Sequence, residues 1–312
     1  MSGSTRGDRP RALITCLLAT AFSVASAAEA MAADRFVSTS GSDANACTAS
    51  APCRSFDRAY HEAAPGDRVR VSGGSYGTQT FTHDNTKNGA TKRVVFEPAT
   101  SAAVTVGDIY ARSGSEDAAA GSSGASAEHI EIRGMGVSDL NLRMAHDMVF
   151  DGVDFDGPYF LRSSSNITIR NSDIGPWNDY TSEVTSNGAE ASRPSRNIVF
   201  ENNRFHDVVK VSAGAHTDCM STGDVDGLTI RGNTFTNCAH FTVILATDYN
   251  GKSSRNVLIE NNFFEPAVLT GTGISIGETD GPVMIRFNSL GSSISDQRGG
   301  SAQIHLSASR SC

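Results

Sequence analysis

The sequence has no apolar run long enough to cross a lipid bilayer, which requires about 20 residues. The apolar stretch LITCLLATAFSVA follows Arg6, Arg9 and Arg11 and precedes a small-residue site at residues 30–32. This layout is typical of a secretory signal peptide and predicts a leader over residues 1–32. A membrane anchor is the alternative interpretation. We expect a secreted, extracellular protein that has no membrane contact once the leader is removed.

Basic residues are scarce, with 26 Lys and Arg against 34 Asp and Glu and a formal net charge of −8. Such a chain repels a phosphate backbone, so nucleic acid is not an expected partner. None of the cysteines forms a Cys-x-x-Cys pair, so zinc fingers are not indicated. Secretion permits disulfides. The best predicted disulfide joins Cys47 and Cys53, which lie in a turn-rich loop. Cys219 and Cys238 either form a second disulfide or fill space in the core as free cysteines. Cys312 then has no predicted partner.

What the sequence does contain is a nine-residue phrase in seven copies, such as NIVFENNRF and GLTIRGNTF. Its second, fourth and ninth positions are apolar in every copy, and the second and fourth have the period-2 spacing of a strand. The seventh position is Asn203, Asn233, Asn262 and Asn288 in the last four copies. We expect this Asn to form a left-handed bend and to hydrogen-bond along a column. The copies begin at residues 129, 147, 166, 197, 227, 256 and 282.

One phrase cannot bury its own apolar face, but stacked copies can cover one another. Strands about 4.8 Å apart would align equivalent residues in columns. The pattern resembles the right-handed parallel β-helix of the pectate-lyase-like superfamily, over roughly residues 67–310. The predicted fold class is therefore all-β, a right-handed parallel β-helix solenoid with a short N-terminal capping helix. A β-propeller or a leucine-rich array is the competitor, but their signatures are missing.

Residues 33–66 are predicted to form an N-terminal strand, the Cys47–Cys53 loop and the capping helix, and residues 67–312 the β-helix domain. Ser55 is a suitable N-cap. We expect the helix to close the N-terminal end of the strand stack, which would otherwise expose an unpaired edge. One apolar helix face follows from the spacing of Phe56, Ala59, Tyr60 and Ala63.

The resemblance implies a substrate groove over the strand that precedes each phrase. We expect the apolar side chains of these strands to face the interior of the solenoid. The side chains that then face outward in one row are Arg143, Arg162, Glu183, Asp218 and His305. Arg143 and Arg162 are predicted to bind substrate carboxylates, because the guanidinium fork matches that group.

Trp177, in the loop sequence GPWNDY, is a candidate for stacking on a sugar ring. Packing of this loop against its own coil is the alternative.

Ionisable residues are densest in KVSAGAHTDCMSTGDVDG, residues 210–227. His216 and Asp218 are two residues apart and would share one side of an extended strand. They predict a general base with its orienting carboxylate, and Lys210 is a second candidate base. Asp218, Asp224 and Asp226 could instead bind Ca²⁺, or GDVDG is a polar turn. His240 is interpreted as a strand-edge or loop histidine.

The resemblance implies a lyase, hydrolase or epimerase acting on an extracellular polysaccharide. We predict a monomeric polysaccharide lyase that cleaves an acidic, uronate-containing chain by β-elimination, with Ca²⁺ as the expected cofactor if one is used. A polygalacturonase-like glycoside hydrolase is less favoured, because the Asn-Thr-Asp, Asp-Asp and Arg-Ile-Lys motifs are missing. A non-catalytic β-helix surface or carbohydrate-binding protein is the remaining alternative.

Overall fold

The alternating phrases form strands that wind into a parallel β-helix. A computed structural model describes residues 1–3, 32–111, 126–186, 193–247, 251–265, 272–291 and 304–306. From residue 32 onward these belong to a single unit, Ala32–Cys312. Most of the predicted leader and Cys312 lie outside the described residues. Within those residues, no helix is long and apolar enough to span a membrane.

The described residues of the first half of the chain form helix α1 (Phe56–Glu62), a 3₁₀ turn (Asn85–Lys87) and the following strands: β1 (Asp34–Val37), β2 (Arg68–Val71), β3 (Gly74–Tyr76), β4 (Gln79–Phe81), β5 (Val94–Pro98), β6 (Val104–Val106), β7 (Ile109–Ala111), β8 (Glu128–Arg133), β9 (Gly136–Val137), β10 (Leu140–Arg143), β11 (His146–Asp151), β12 (Asp154–Phe155), β13 (Tyr159–Arg162) and β14 (Ser165–Arg170). The second half adds β15 (Asp173–Ile174), β16 (Trp177–Asn178), β17 (Glu183–Thr185), β18 (Ser195–Glu201), β19 (Arg204–Val209), β20 (Asp218–Gly223), β21 (Val225–Arg231), β22 (Thr234–Cys238), β23 (Phe241–Leu245), β24 (Arg255–Glu260), β25 (Phe263–Glu265), β26 (Thr272–Ile276), β27 (Val283–Arg286), β28 (Ser289–Leu290) and β29 (Ile304–Leu306).

These strands form three parallel sheets, because each winding contributes one strand to each sheet. The first runs β1-β2-β5-β8-β11-β14-β18-β21-β24-β27. The second runs β4-β7-β10-β13-β17-β20-β23-β26-β29, and the third β3-β6-β9-β12-β15-β19-β22-β25-β28. The predicted right-handed parallel β-helix is confirmed. The strands predicted to precede the phrases are also confirmed: β10, β13, β17, β20, β23 and β26 of the second sheet precede the last six phrases.

The predicted columns of like side chains are present in register. Ile169 pairs with Phe200, Phe200 with Ile230, and Ile230 with Ile259. All four are buried, and each such burial contributes about 1.5–3 kcal/mol relative to exposure. In the third sheet the ninth positions stack as rings, with Phe235 4.5 Å from Phe205 and 4.9 Å from Phe264 between ring centroids.

The asparagine column is a buried hydrogen-bonded ladder. Asn233 Oδ1 accepts from the backbone N–H of Asn203 at 2.9 Å, and Asn233 Nδ2 donates to Asn262 Oδ1 at 3.0 Å. The same Nδ2 group donates to the carbonyl of Phe200 at 2.9 Å. Each amide thus satisfies backbone groups that the turn would otherwise leave buried without a partner. The predicted hydrogen bonding along the column is confirmed.

The left-handed bend, however, belongs to the neighbouring column. The residue at the sixth position of the phrase has a positive φ in every copy, and the residue at the seventh position has a positive φ in none. Glycine and asparagine dominate the sixth position because they enter this backbone region at little steric cost. The prediction that the seventh-position Asn forms the bend is therefore wrong. The sixth-position residues are Gly134, Gly152, Asn171, Asn202, Gly232, Asn261 and Phe287.

Phe287 is the sixth-position residue that departs from this rule. Its φ is 56°, and its side chain is 76% exposed. The left-handed region costs a bulky L-residue about 1–2 kcal/mol, so Phe287→Asn should raise the free energy of unfolding by about 1 kcal/mol. Denaturant titration measures this gain. The matched change Phe263→Asn, in the extended strand β25, should give none, and equal effects of the two changes would contradict the explanation.

The N-terminal end is covered as predicted. Ser55 Oγ accepts from the N–H of Arg58 at 3.1 Å and caps α1. Phe56 stacks on Phe96 with ring centroids 5.3 Å apart, so the apolar helix face packs on the first windings. The disulfide Cys47–Cys53 staples the preceding loop, as predicted.

Candidate active site

A groove of about 290 Å³ crosses β17 and β20 of the second sheet. Glu183 is in register with Phe160 on one side and Ser221 on the other, so these three side chains form one outward row. The residues that line the groove carry hydroxyl, imidazole and carboxylate groups. They are Thr181, Glu183, Thr185, His216, Ser221, Thr222, Gly223 and Thr247.

One wall of the groove comes from the loop 210–217, which joins β19 to β20. Asp179 anchors its start by accepting from the backbone N–H groups of Val211 and Ser212 at 2.7 and 2.9 Å. Hydrogen bonds from the side chain and backbone of Ser212 lower the pKa of Asp179. Thr181 anchors the other end, because its hydroxyl donates to the carbonyl of His216 at 2.8 Å. The loop is thereby held against the preceding winding.

His216 and Asp218 meet, as predicted. His216 Nδ1 lies 3.1 Å from Asp218 Oδ2, with the imidazole side chain 70% exposed and the carboxylate fully buried. The prediction that Asp218 lies in the outward row is wrong. Thr222 pairs with Leu245 in an inward column, and Asp218, four residues earlier, has the same inward parity.

His240, interpreted from the sequence as a strand-edge or loop histidine, completes the cluster. Its Nδ1 lies 3.0 Å from Asp218 Oδ1, and the backbone N–H of Phe241 donates to the same oxygen at 3.2 Å. The sequence feature that could have placed His240 near Asp218 is the predicted Cys219–Cys238 pair, which forms a disulfide. That bridge joins the residue after Asp218 to the residue two before His240.

The carboxylates proposed to bind Ca²⁺ do not converge. Asp218 is the first residue of β20 and Asp224 follows its last, so the two are about 20 Å apart at the rise of an extended strand. Asp226 is held by Arg255 Nη2 at 3.1 Å and by Asn256 Nδ2 at 2.7 Å. The hydrogen bond from Asn256, supported by the charge of Arg255, lowers the pKa of Asp226. The predicted Ca²⁺ site of Asp218, Asp224 and Asp226 is therefore wrong.

A different donor set could hold a metal. One ring nitrogen each of His216 and His240 and one carboxylate oxygen of Asp218 lie within 4.8 Å of one another.

The two predicted arginines stand side by side, since Arg143 of β10 is in register with Arg162 of β13. Arg162 donates to Glu183 Oε2 at 2.8 Å, and its guanidinium lies 4.8 Å from the ring centroid of Phe160. Arg143 forms no ion pair with any residue in the described part of the chain. Neither arginine is among the groove-lining residues. Arg143, two strands from β17, is the freer of the two, whereas Arg162 already shares its charge with the groove's carboxylate.

Two other predicted site residues are not brought into the groove. Trp177 is 6% exposed, and its indole Nε1 donates to the carbonyl of Tyr180 at 2.9 Å. Stacking of Trp177 on a sugar is therefore the wrong alternative, and packing on its own coil is correct. Lys210 is exposed at the start of the loop, near Asp179 and not among the groove-lining residues. His305 lies in β29, in register with Ser275.

No protein-family model and no curated protein matches this sequence. Among solved structures, it is similar to an alginate lyase from Paenibacillus sp. str. FPU-7, with 12% identity, coverage of 88% of this chain and 99% of that chain, and a TM-score of 0.49. It is also similar to the Streptococcus pneumoniae surface protein and adhesin PfbA (10% identity, 81% and 96% coverage, TM-score 0.42) and to pectate lyase Pel9A (10%, 80% and 77%, 0.39).

Proposed function

We propose that this protein is a secreted polysaccharide lyase that cleaves an acidic, uronate-containing chain in the groove over β17 and β20. A solenoid face presents equivalent side chains winding after winding, and this arrangement suits an extended polymer. The observation that carries the proposal is an exposed imidazole, His216, held at the groove by the buried carboxylate of Asp218.

The hydrogen bond to Asp218 assigns His216 a role. A neutral imidazole carries one N–H, and an acceptor at Nδ1 favours the tautomer that donates from Nδ1. Nε2 then keeps its lone pair and is the atom available to remove a proton. Asp218 orients the ring and stabilises its protonated form, as a carboxylate behind a general base does.

The reaction is a β-elimination. His216 Nε2 takes the proton on the carbon alpha to the uronate carboxylate, and that electron pair forms a carbon–carbon double bond as the glycosidic carbon–oxygen bond breaks. The leaving oxygen takes a proton from water. Negative charge develops on the uronate carboxylate during proton removal, and a nearby guanidinium stabilises it. We assign Arg162, in register with Thr185 of the groove lining, to this carboxylate, and Arg143, one strand further out, to a substrate carboxylate remote from the cleaved bond.

Glycoside hydrolysis fits this groove less well. That reaction uses a pair of carboxyl groups flanking the scissile bond. Glu183 is the one carboxylate among the residues that line the groove, and it is bonded to Arg162. Asp218 is buried and accepts from two imidazoles and a backbone N–H. We retain a non-catalytic carbohydrate-binding protein as the second candidate, since the outward row of polar side chains would serve it equally well.

A substrate screen tests the proposal. The protein is incubated with pectate, alginate and glycosaminoglycans, and both ultraviolet absorbance and reducing ends are followed. A lyase gives absorbance from the new double bond together with reducing ends. Reducing ends without absorbance would indicate a hydrolase instead. Binding to one of these polymers without either product would favour the carbohydrate-binding alternative.

Arg143→Ala should raise KM for the acidic polymer about tenfold, because a charge-assisted hydrogen bond is worth about 1.5–3 kcal/mol. The turnover number should change less than KM if Arg143 binds a carboxylate remote from the cleaved bond. Arg204→Ala removes an exposed Arg of the third sheet and serves as the control. An unchanged KM for Arg143→Ala would remove this residue from the proposed binding surface.

A further inference from the structure

The cluster around Asp218 has a feature that a single general base does not need. Two imidazoles, His216 and His240, both direct Nδ1 at one carboxylate, at 3.1 and 3.0 Å and on different oxygens. Their ring centroids are 4.7 Å apart. A base requires only one of these contacts, so the position of His240 calls for a separate explanation.

The cluster is also held in place by the surrounding chain. The Cys219–Cys238 disulfide joins the segment that carries Asp218 to the segment that carries His240. His240 has a φ of 61°, a left-handed conformation that is uncommon for a residue other than glycine. The three donor groups are therefore arranged before any ligand arrives, and this lowers the entropic cost of binding.

The donor chemistry selects one class of ligand. Imidazole nitrogen with carboxylate oxygen suits divalent transition metals such as Zn²⁺, whereas Ca²⁺ takes oxygen donors. Tetrahedral ligands at about 2.1 Å from one ion are about 3.4 Å apart, and each Nδ1 lies within a few tenths of an ångström of that separation from its Asp218 oxygen, at 3.1 and 3.0 Å. Three protein ligands leave coordination positions open, and the imidazoles are 70% and 37% exposed, so solvent reaches the cluster.

We propose that His216, Asp218 and His240 form a binding site for one divalent transition-metal ion of the zinc class. The ion takes the Nδ1 lone pair of each imidazole and an oxygen of Asp218. A neutral imidazole that binds metal through Nδ1 carries its proton on Nε2, so His216 then has no lone pair with which to accept a substrate proton. The metal-bound form is therefore an inhibited form. This second step rests on the proposed lyase function, but metal binding does not.

Metal binding is measured without any polysaccharide. The folded protein is stripped of metal with a chelator, and Zn²⁺ is titrated in competition with a chromophoric chelator; Co²⁺ absorption reports the ligand set. We expect one ion per chain. The test variants are His240→Asn, because Asn tolerates the left-handed backbone at this position, and His216→Ala, because the His216 side chain is exposed. Each should weaken binding at least about tenfold, the smallest cost seen when even a supporting residue of a metal site is lost.

His146→Ala is the matched control, since His146 lies in β11 of the first sheet and bonds Ser165; its Zn²⁺ affinity should equal that of the unmodified protein. Ca²⁺ should not compete with Zn²⁺. Absence of one-to-one Zn²⁺ binding would overturn the site. So would a Zn²⁺ affinity in His240→Asn and His216→Ala equal to that of the unmodified protein. If the screen identifies a substrate, Zn²⁺ should inhibit its cleavage at the concentrations at which it binds. Binding that leaves cleavage unchanged would overturn the inhibitory role alone.

Discussion

His216→Ala should lower the turnover of the acidic polysaccharide by about 10²–10⁴-fold, the usual contribution of a positioned general base. The imidazole is the exposed member of the pair, and its Nε2 is the atom assigned to proton removal. The change also takes away the imidazole that bonds the buried Asp218 Oδ2, so the free energy of unfolding should fall by about 1–3 kcal/mol. Initial rates from ultraviolet absorbance, with thermal unfolding alongside, measure both quantities.

The comparison variants separate the base from a merely structural role. Asp218→Asn keeps the shape of the side chain but removes the negative charge that stabilises the protonated ring, so it should also lower turnover. His146→Ala, in the first sheet, should leave turnover unchanged. Normal lyase turnover in His216→Ala would contradict the assignment. Lys210, the other base predicted from the sequence, would then be tested by Lys210→Ala.

Asn233→Ala should lower the free energy of unfolding by about 3 kcal/mol or more, because leaving a buried polar group without its partner costs about 1–3 kcal/mol. The change orphans the backbone N–H of Asn203 and the carbonyl of Phe200 and breaks the bond to Asn262. Asn233 is 1% exposed, so water cannot replace these bonds without entering the core. Denaturant-induced unfolding measures the loss.

The control for this change is Asn178→Ala. Asn178 is an exposed strand residue of β16, and its loss should cost no more than about 0.5 kcal/mol. Equal costs for the two variants would show that the asparagine ladder does not stabilise the windings.

The sequence predicts this fold well because the repeat is itself the packing pattern. An apolar residue at a fixed phrase position must stack on its equivalent one winding away, so Ile169, Phe200 and Ile230 could be aligned before any coordinates were known. The bend was harder to assign. The sixth and seventh positions can both be Asn, as Asn202 and Asn203 are. Residue type alone therefore does not show which of the two adopts the left-handed backbone and which buries its side-chain amide.

The candidate site could be predicted only where its residues are neighbours in sequence. The contact of His216 with Asp218 spans two residues and was found. His240 comes from the next winding, and its contact with Asp218 depends on strand register and on the Cys219–Cys238 bridge. The predicted Ca²⁺ site was wrong for the opposite reason. Asp218 and Asp224 are close in sequence, but the extended strand between them places them far apart in space.

The most direct test of the central claim is the crystal structure of His216→Ala with an oligosaccharide of the uronate polymer that the protein cleaves or binds. We predict that the sugar chain lies across β13, β17 and β20, with a uronate ring beside Ser221 at the position vacated by the imidazole and a carboxylate bound by Arg143. A chain bound to another sheet, or an empty groove at saturating oligosaccharide, would contradict the account.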